Sequence, residues 1–582
     1  MFKNRHLSKR LLPSLRCSPC AHLQPRIRHL PVFQQVTMST HQTSTPTSTL
    51  KIRSVVSNFI FKFEGTPTGK PQVALFRRSD KVSTYQHHLA PISGSIDPSD
   101  ASPIAAAWRE ICEEITLTPA NLVLIRQGKP YTFGDESVGR EWTIYPFAFR
   151  LRTADDEKQI TIDWEHKEWG WYDPVSIKDT EKFGGVPRLA ESLGRVWFEY
   201  DLGEDAGRIL SDSLHTLATD TQSGARQMAG YALETLDEII TAYEPCEPSK
   251  KWWRDIRFAA WHIWKNGRES MGAAIMAALL GTLAEIEPLL SRKLSAEEFR
   301  NEVQTVIRKR IAYRQETTAK ISLSLTNYIT KTFPSDWPLK ILTLSESSTI
   351  THALSRLAEN TRIPLDIRIL ESRPLFEGVS LASNLSKSFT NSLSLSQPTT
   401  TSRSHKITLF TDASSALASS GVNILLLGAD RISSSGSASN KTGSLPTVLS
   451  AKHVTGGKAK VVVLGDTEKI ALPGQEEEHV VEEGETKQVT DAWEGVGCSE
   501  RVREGARTLA SFRKAELKEA GDDSGCDSGV NVKVGVSNIF FEWVPAGLID
   551  AYITERGEET VEDVIRQSEK LAAEDRRIFG SL

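Results

Sequence analysis

The chain has 582 residues, 25% of them charged and 39% hydrophobic, with a formal net charge of −4. That length exceeds one ordinary core and calls for two or three domains. The near-neutral balance gives no electrostatic reason to expect direct contact with nucleic acid or a membrane surface. The longest apolar run, Met271–Leu280, falls short of a bilayer span and reads as a buried helix. Six scattered cysteines suit a reducing compartment, and Cys17-x-x-Cys20 lacks the second half of a zinc site.

Residues 1–50 hold seven Lys/Arg and no acid, the first being Glu64. This composition suits a disordered or targeting segment, and a start at Met38 stays equally open. A cytoplasmic location is expected, or a mitochondrial one if residues 1–37 are a transit peptide.

From Ile52 the pattern turns to strands. "SNFIFKF" sets Phe59, Phe61 and Phe63 on one face, and "QVALFRRS" follows a Gly/Pro turn. A helix follows in "SPIAAAWREICEEITL", then strand-like, aromatic-rich "EWTIYPFAFRLR" and "KEWGWYDPVSI". "RLAESLGRVWFEYDL" reads as an amphipathic helix closing a first domain over 51–204. Residues 205–250, mixed helix and loop and ending in "EPCEPSK", read as a linker, and 251–336 as a helical subdomain. Over 337–582 five apolar runs, "KILTL", "IRIL", "ITLF", "NILLL" and "KVVVL", alternate with helical stretches, the pattern of a parallel sheet with crossover helices. Ser386–Ser404, rich in Ser and Thr, and an acidic stretch at 474–530 read as flexible loop insertions.

The first helix carries the first chemical signal. Ser102 and Pro103 form a good start, and Ile104, Ala107, Trp108, Ile111 and Ile115 make one apolar stripe. Glu110, Glu113 and Glu114, at i, i+3 and i+4, bring three carboxylates together although like charges at that spacing repel. Oxygen ligands so grouped suit Mg²⁺ or Mn²⁺ bound to a diphosphate. On spacing alone a solvated acidic face remains equally open.

The segment "WREICEEITL", behind the loop "GSIDPSDASP", resembles the R-E-U-x-E-E core of the Nudix hydrolases. The resemblance spans about Ile52–Gly203 and implies an α/β/α sandwich with a mixed sheet. It implies Glu110, Glu113 and Glu114 as metal ligands, Glu113 and Glu114 as catalytic, Arg109 as structural, and a nucleoside diphosphate derivative as substrate. Asp100 or Ala101 stands for the usual first loop glutamate and Thr116 for a late glycine. A further base is implied at Glu165 or Glu168, where a structural ion pair is equally open.

Polar residues follow each apolar run of the second half: Ser345 after "KILTL", Glu371-Ser372-Arg373 after "IRIL", Asp430 after "NILLL". Ligands of open parallel sheets bind at that edge. "ESRPLFEG", "LLLGADRISSSGSASNKTGS" and "SNIFFEWVPAGLIDAYITERG" together resemble the family of translation initiation factor two-B alpha, beta and delta subunits and of two sugar-phosphate isomerases. The resemblance implies a helical subdomain joined to a Rossmann-like sheet, a homo-oligomer formed through it, Asp430 as a catalytic acid–base, and Arg373, Asn440 and Lys441 as contacts for a sugar phosphate. Ser345 holds the place of the isomerases' catalytic cysteine, and a hydroxyl does not ionise near neutral pH as a thiol does. The expectation is a multidomain α/β protein, a metal-dependent pyrophosphohydrolase fused to a sugar-phosphate-binding, isomerase-like domain. The alternative is a non-catalytic regulatory or assembly protein of translation initiation.

Overall fold

Strand-forming residues on both sides of one glutamate-rich helix build the first layer of the protein. The computed structural model describes residues 50–65, 69–220, 223–333, 338–361, 363–395, 404–474, 483–495, 497–519 and 534–582. The expected targeting segment lies outside the described residues.

The first sheet is formed by β1 (Lys51–Phe63), β2 (Pro71–Arg78), β3 (Leu89–Ala90), β4 (Ile92–Ser95), β5 (Leu122–Gln127), β6 (Tyr131–Asp135), β7 (Arg140–Leu151) and β8 (His166–Tyr172), with α1 (Pro103–Ile115) between β4 and β5. It is mixed: β1 runs parallel to β7 and antiparallel to β2 and β4. The central strand is buried on both faces. Val56 and Ile60 pack with Ile111 and Ile115 of α1, while Phe59 and Phe61 pack with Leu189 and Leu193 on the opposite side. Those leucines lie on α2 (Leu189–Gly194), which completes the α/β/α sandwich.

The expected closing helix is broken. It divides into α2 and a short α3 (Glu199–Leu202), because Val196 and Phe198 turn into two different cores. The Glu199 carboxylate accepts the Phe198 N–H at 3.0 Å and fixes the break.

The expected linker at 205–250 is also corrected. It forms α4 (Glu204–Thr219) and α5 (Ala225–Ala242). Ala206, Leu210, Leu214 and Leu217 recur at helical spacing and are buried in the same core as α6 (Lys250–Lys265), α7 (Gly272–Ile286) and α8 (Ala296–Thr332). The stretch Glu269–Ser291 is in fact long and apolar enough to cross a membrane by length and composition. In this fold α7 occupies the middle of the helical core, with Ala274, Ile275, Leu279 and Leu280 buried.

The third region alternates β9 (Leu339–Leu344), α9 (Ser348–Asn360), β10 (Leu365–Leu370), α10 (Glu377–Leu395), β11 (Lys406–Phe410), α11 (Ser415–Ala418), β12 (Ile424–Leu427), β13 (Arg431–Ile432), β14 (Ala438–Lys441), α12 (Ser444–Val454) and β15 (Lys460–Leu464). After these come α13 (Thr486–Glu494), α14 (Glu500–Glu519), β16 (Phe541–Val544), β17 (Ala551–Thr554), β18 (Gly557–Glu559) and α15 (Val561–Phe579). The main sheet runs β11-β10-β9-β12-β15-β17-β18, parallel except for the last strand, and β13, β14 and β16 form a small antiparallel sheet. All five apolar runs become strands of the main sheet. Chain order reverses between β9 and β12, which defines a switch point at their carboxyl ends.

Two loop expectations change. Residues 386–395 continue α10, while 396–403 lie outside the described residues. Within 474–530 the described part forms α13 and α14, and the remainder lies outside the described residues. The last helix leaves the sheet: Leu571, Ile578 and Phe579 of α15 join the helical core, and Arg257 of α6 donates to the Ile578 carbonyl at 2.7 Å.

Candidate functional site

Helix α1 presents the carboxylates. Ser102 caps it by accepting the Ala105 N–H at 3.3 Å, and Pro103 occupies its first turn. The helix ends at Thr116, whose φ of 63° is one that glycine adopts freely and a β-branched residue does not. Its hydroxyl donates to the Ile115 and Gln159 carbonyls at 2.6 and 3.0 Å, which holds the strained turn in place.

Arg109 organises the outer edge of the cluster. Its guanidinium binds both oxygens of Asp100, at 3.1 and 3.0 Å, and the Ser95 carbonyl at 2.9 Å. It also reaches Glu110 at 2.8 Å and Glu113 at 3.1 Å. Of the two residues considered for the loop carboxylate, Asp100 fills the role, and Arg109 holds it below the usual carboxylate range. Gly94 in β4 lies directly over Glu110. A Cβ there would meet the Glu110 carboxyl carbon at 1.9 Å, so the glutamate can lie against the strand only because residue 94 has no side chain.

Glu114 points the other way, into the sandwich, and is 3% exposed. Its carboxylate contacts His166 Nε2 at 2.6 Å. Burial pushes Glu114 up, and the negative charges of Glu165, Glu110 and Asp163 push it further. Burial and the nearby Arg78 hold His166 down at about 4, so its imidazole is neutral at pH 7. Burial also raises Glu110, against Arg109 and with Glu113 and Glu165, and raises Glu165. Of the two residues considered as a distal base, Glu165 acts on Glu114 as a like charge, whereas Glu168 pairs with Arg77 at 2.6 Å on the surface.

The structure therefore gathers Glu110, Glu114, Glu165 and Asp163 and leaves Glu113 at the rim, 59% exposed on Arg109. Among the described residues no three His, Cys, Asp or Glu side chains already stand in metal-binding geometry. The donor set nonetheless fits a hard divalent cation. It offers only carboxylate oxygens, those of Glu110, Glu114 and Glu165 are desolvated, and they repel one another in a way that positive charge relieves.

The second constellation assembles at the switch point. Ser345 follows β9 with φ of 64°, its N–H donating to Ser372 Oγ at 2.7 Å. Its hydroxyl donates to Glu377 at 2.6 Å, and the other Glu377 oxygen pairs with Lys441 Nζ at 3.0 Å. Asp430 follows β12. Burial raises its pKa while Lys469, Lys441 and Arg268 pull it down. Asn440 donates to Ser444 Oγ at 2.9 Å and sits over Gly428, where a Cβ would lie 3.3 Å from its amide oxygen.

Arg373 is the outlying member. Its N–H donates to Asp412 at 2.8 Å, but its guanidinium turns to Glu371 at 2.9 Å, beside the Phe376 ring. Ser345, Asp430, Asn440 and Lys441 thus converge, and Arg373 borders them. Sequence reasoning missed Glu377, the hinge of the network, although it lies inside the quoted "ESRPLFEG". It missed His166 too, whose adjacency to Glu165 was the available signal.

Comparison with known proteins fits both halves. The profile of the Initiation factor 2 subunit family matches residues 221–560. The chain belongs to that family. The NUDIX domain profile matches residues 52–191, so the family's fold is joined here to a Nudix domain, which supports a hydrolase. No curated protein matches the chain. Among solved structures, a translation initiation factor eIF-2B of Pyrococcus horikoshii is 17% identical over 60% of this chain and 96% of its own, with a TM-score of 0.39. The eIF2B beta subunit of Chaetomium thermophilum is 12% identical over 66% and 96%, with a TM-score of 0.42. The 5-methylthioribose 1-phosphate isomerase of Pyrococcus horikoshii is 17% identical over 62% and 87%, with a TM-score of 0.39.

Proposed function

We propose that the protein is a metal-dependent Nudix pyrophosphohydrolase acting on a nucleoside-diphosphate-linked compound, coupled to a domain that binds a sugar phosphate. The observation that carries the first half is the desolvated carboxylate group of Glu110, Glu114 and Glu165 beside the Arg109–Asp100 clamp. Glu110, Glu113 and Glu114 would hold Mg²⁺ or Mn²⁺, which when bound supplies charge neutralisation for the diphosphate and a more acidic water. Arg109 keeps the helix and loop in register. Glu165, raised by burial, is suited to accept the proton of the attacking water. His166 fixes the Glu114 carboxylate.

In the second domain Lys441, Lys469 and Arg268 supply positive charge around Asp430, as a phosphate ester requires. The Ser345 hydroxyl is committed to Glu377, so the domain is proposed to bind a sugar phosphate without isomerising it. The same observation favours a second reading, in which this domain is a non-catalytic module of initiation-factor type. Isolation as a homo-oligomer supports the binding domain; co-purification with other initiation-factor subunits supports the module.

The deciding experiment is magnesium-dependent turnover of a panel of nucleoside diphosphate sugars, ADP-ribose included, by the intact protein and by Glu113→Gln and Glu114→Gln. Equal turnover by the wild type and both variants would refute the hydrolase reading. Conversion of ribose 1,5-bisphosphate to its ketose at a rate abolished by Asp430→Asn would refute the assignment of the second domain as binding-only.

A further inference from the structure

A cavity of about 480 Å³ lies where the Nudix sheet, the helical core and the small antiparallel sheet meet, apart from both sites above. Gln127 at the end of β5, Lys265 at the end of α6, Glu269, Arg431, Ser434 and Trp543 are among its walls. One feature holds the walls together. Asn266 accepts the Gln127 N–H at 2.7 Å and donates back to the Gln127 carbonyl at 3.0 Å, completing the edge of β5 as another strand would.

The electrostatics of the cavity are unbalanced. Lys265 and Arg431 act on each other as like charges, share Glu269 as counter-ion, and Lys265 also feels Lys129 and Asp575. Neither Lys265 nor Arg431 forms a salt bridge among the described residues, and burial holds both below their ordinary values. Lys265 lies over the Trp264 ring at 4.2 Å, a partial compensation available to Lys265 alone. Lys265, exposed at its rim, and the half-buried Arg431 both line one polar space and have Glu269 as their one shared acid, an arrangement that suits an anion. The volume falls in the range of small-molecule sites. The Ser434 hydroxyl offers a hydrogen bond and Trp543 an aromatic surface.

We propose that this cavity is a binding site for a small phosphate monoester, held between Lys265 and Arg431 and distinct from the side-chain cluster around Asp430. Because its walls come from both the Nudix sheet and the family fold, its ligand ties the two together. The site does not depend on hydrolysis at the Nudix cluster or on binding at Asp430.

The test is calorimetric titration of the full chain with ribose 5-phosphate and, separately, inorganic phosphate. It is made on the wild type, on Lys441→Met to disable the Asp430 pocket, and on Lys265→Met and Arg431→Gln. The expected result is that Lys441→Met retains a ribose 5-phosphate site, and that either cavity variant in that background weakens it at least tenfold. Melting temperatures without ligand establish that each variant is folded. If Lys265→Met is not, Arg431→Gln and Ser434→Asp give the same reading. Loss of all binding in Lys441→Met, or unchanged affinity in folded cavity variants, overturns the proposal. Binding lost only through Lys441→Met would leave the sugar-phosphate reading of Asp430 intact, so the two failures are distinguishable.

Discussion

The carboxylate cluster of α1 and the side-chain cluster around Asp430 both hold acids whose protons burial has tightened, yet their neighbours are opposite in sign. Around Glu114 the next charges are Glu165, Glu110 and Asp163, which raise it further. Around Asp430 they are Lys469, Lys441 and Arg268, which oppose the rise. The first site is short of positive charge and the second rich in it. An acid displaced by burial therefore says little about a ligand by itself; the sign of the surrounding charges says whether a cation or an anion relieves the site.

The sharpest way to break this comparison is to remove one charge from each side. Glu114→Gln is expected to lower magnesium-dependent hydrolysis by about 100-fold or more while leaving sugar-phosphate affinity unchanged. Lys441→Met is expected to do the reverse, weakening a sugar phosphate about tenfold or more with hydrolysis intact, as titration and turnover on the same preparations would show. If each variant impairs both functions equally, the two sites are not independent.

Magnesium offers a test on stability. At about 100 times its dissociation constant, a cation bound only by the folded state adds about 2.7 kcal/mol, read as a raised denaturation midpoint. Wild type should show the rise and Glu114→Gln much less of it.

Acid is the confounding variable, because a third group titrates between the two sites. The His262 imidazole is fully buried, and burial holds its pKa well below the ordinary 6.5. As pH falls through 6.5 the unfolded chain takes up a proton that the folded chain refuses. Stability should therefore drop by up to about 1.4 kcal/mol per pH unit below that point and stay flat above it. Denaturation at pH 5.5 and 7.5 should show the drop in wild type and a smaller one in His262→Gln. The smallest effect is expected at the end of α1. Thr116→Gly relieves a positive φ and should stabilise by about 1 kcal/mol, less what is lost with the hydroxyl bond to Gln159.

What was legible in the sequence differs between these regions for physical reasons. The start and apolar stripe of α1 could be read because a cap and a period of 3.6 are local. The five central strands could be read because parallel strands buried on both faces are continuous apolar runs. The helical part of 205–242 was legible in kind but not its place in the core: Leu210, Leu214 and Leu217 are spaced for a helix, and only the fold shows them packed with α6, α7 and α8. The inclusion of Glu165 and the exclusion of Glu168 depended on where β8 begins: Glu165 lies in the turn just before it, whereas Glu168 is inside it, opposite Arg77 of β2. The partnership of Ser345 with Glu377 spans a crossover connection and had no local signal at all.

The buried pair of Arg126 and Glu199 has a wider consequence. Arg126 ends the Nudix sheet on β5, and Glu199, 7% exposed, opens the helical core while also accepting the Ser211 hydroxyl at 2.8 Å. Removing either partner, as in Glu199→Ala, would leave the other charge bare in an apolar interior, a loss of about 3–5 kcal/mol. The two halves are thus not beads on a string. Heating should melt them in one shared transition, and neither is free to be exchanged or shed without the other being rebuilt.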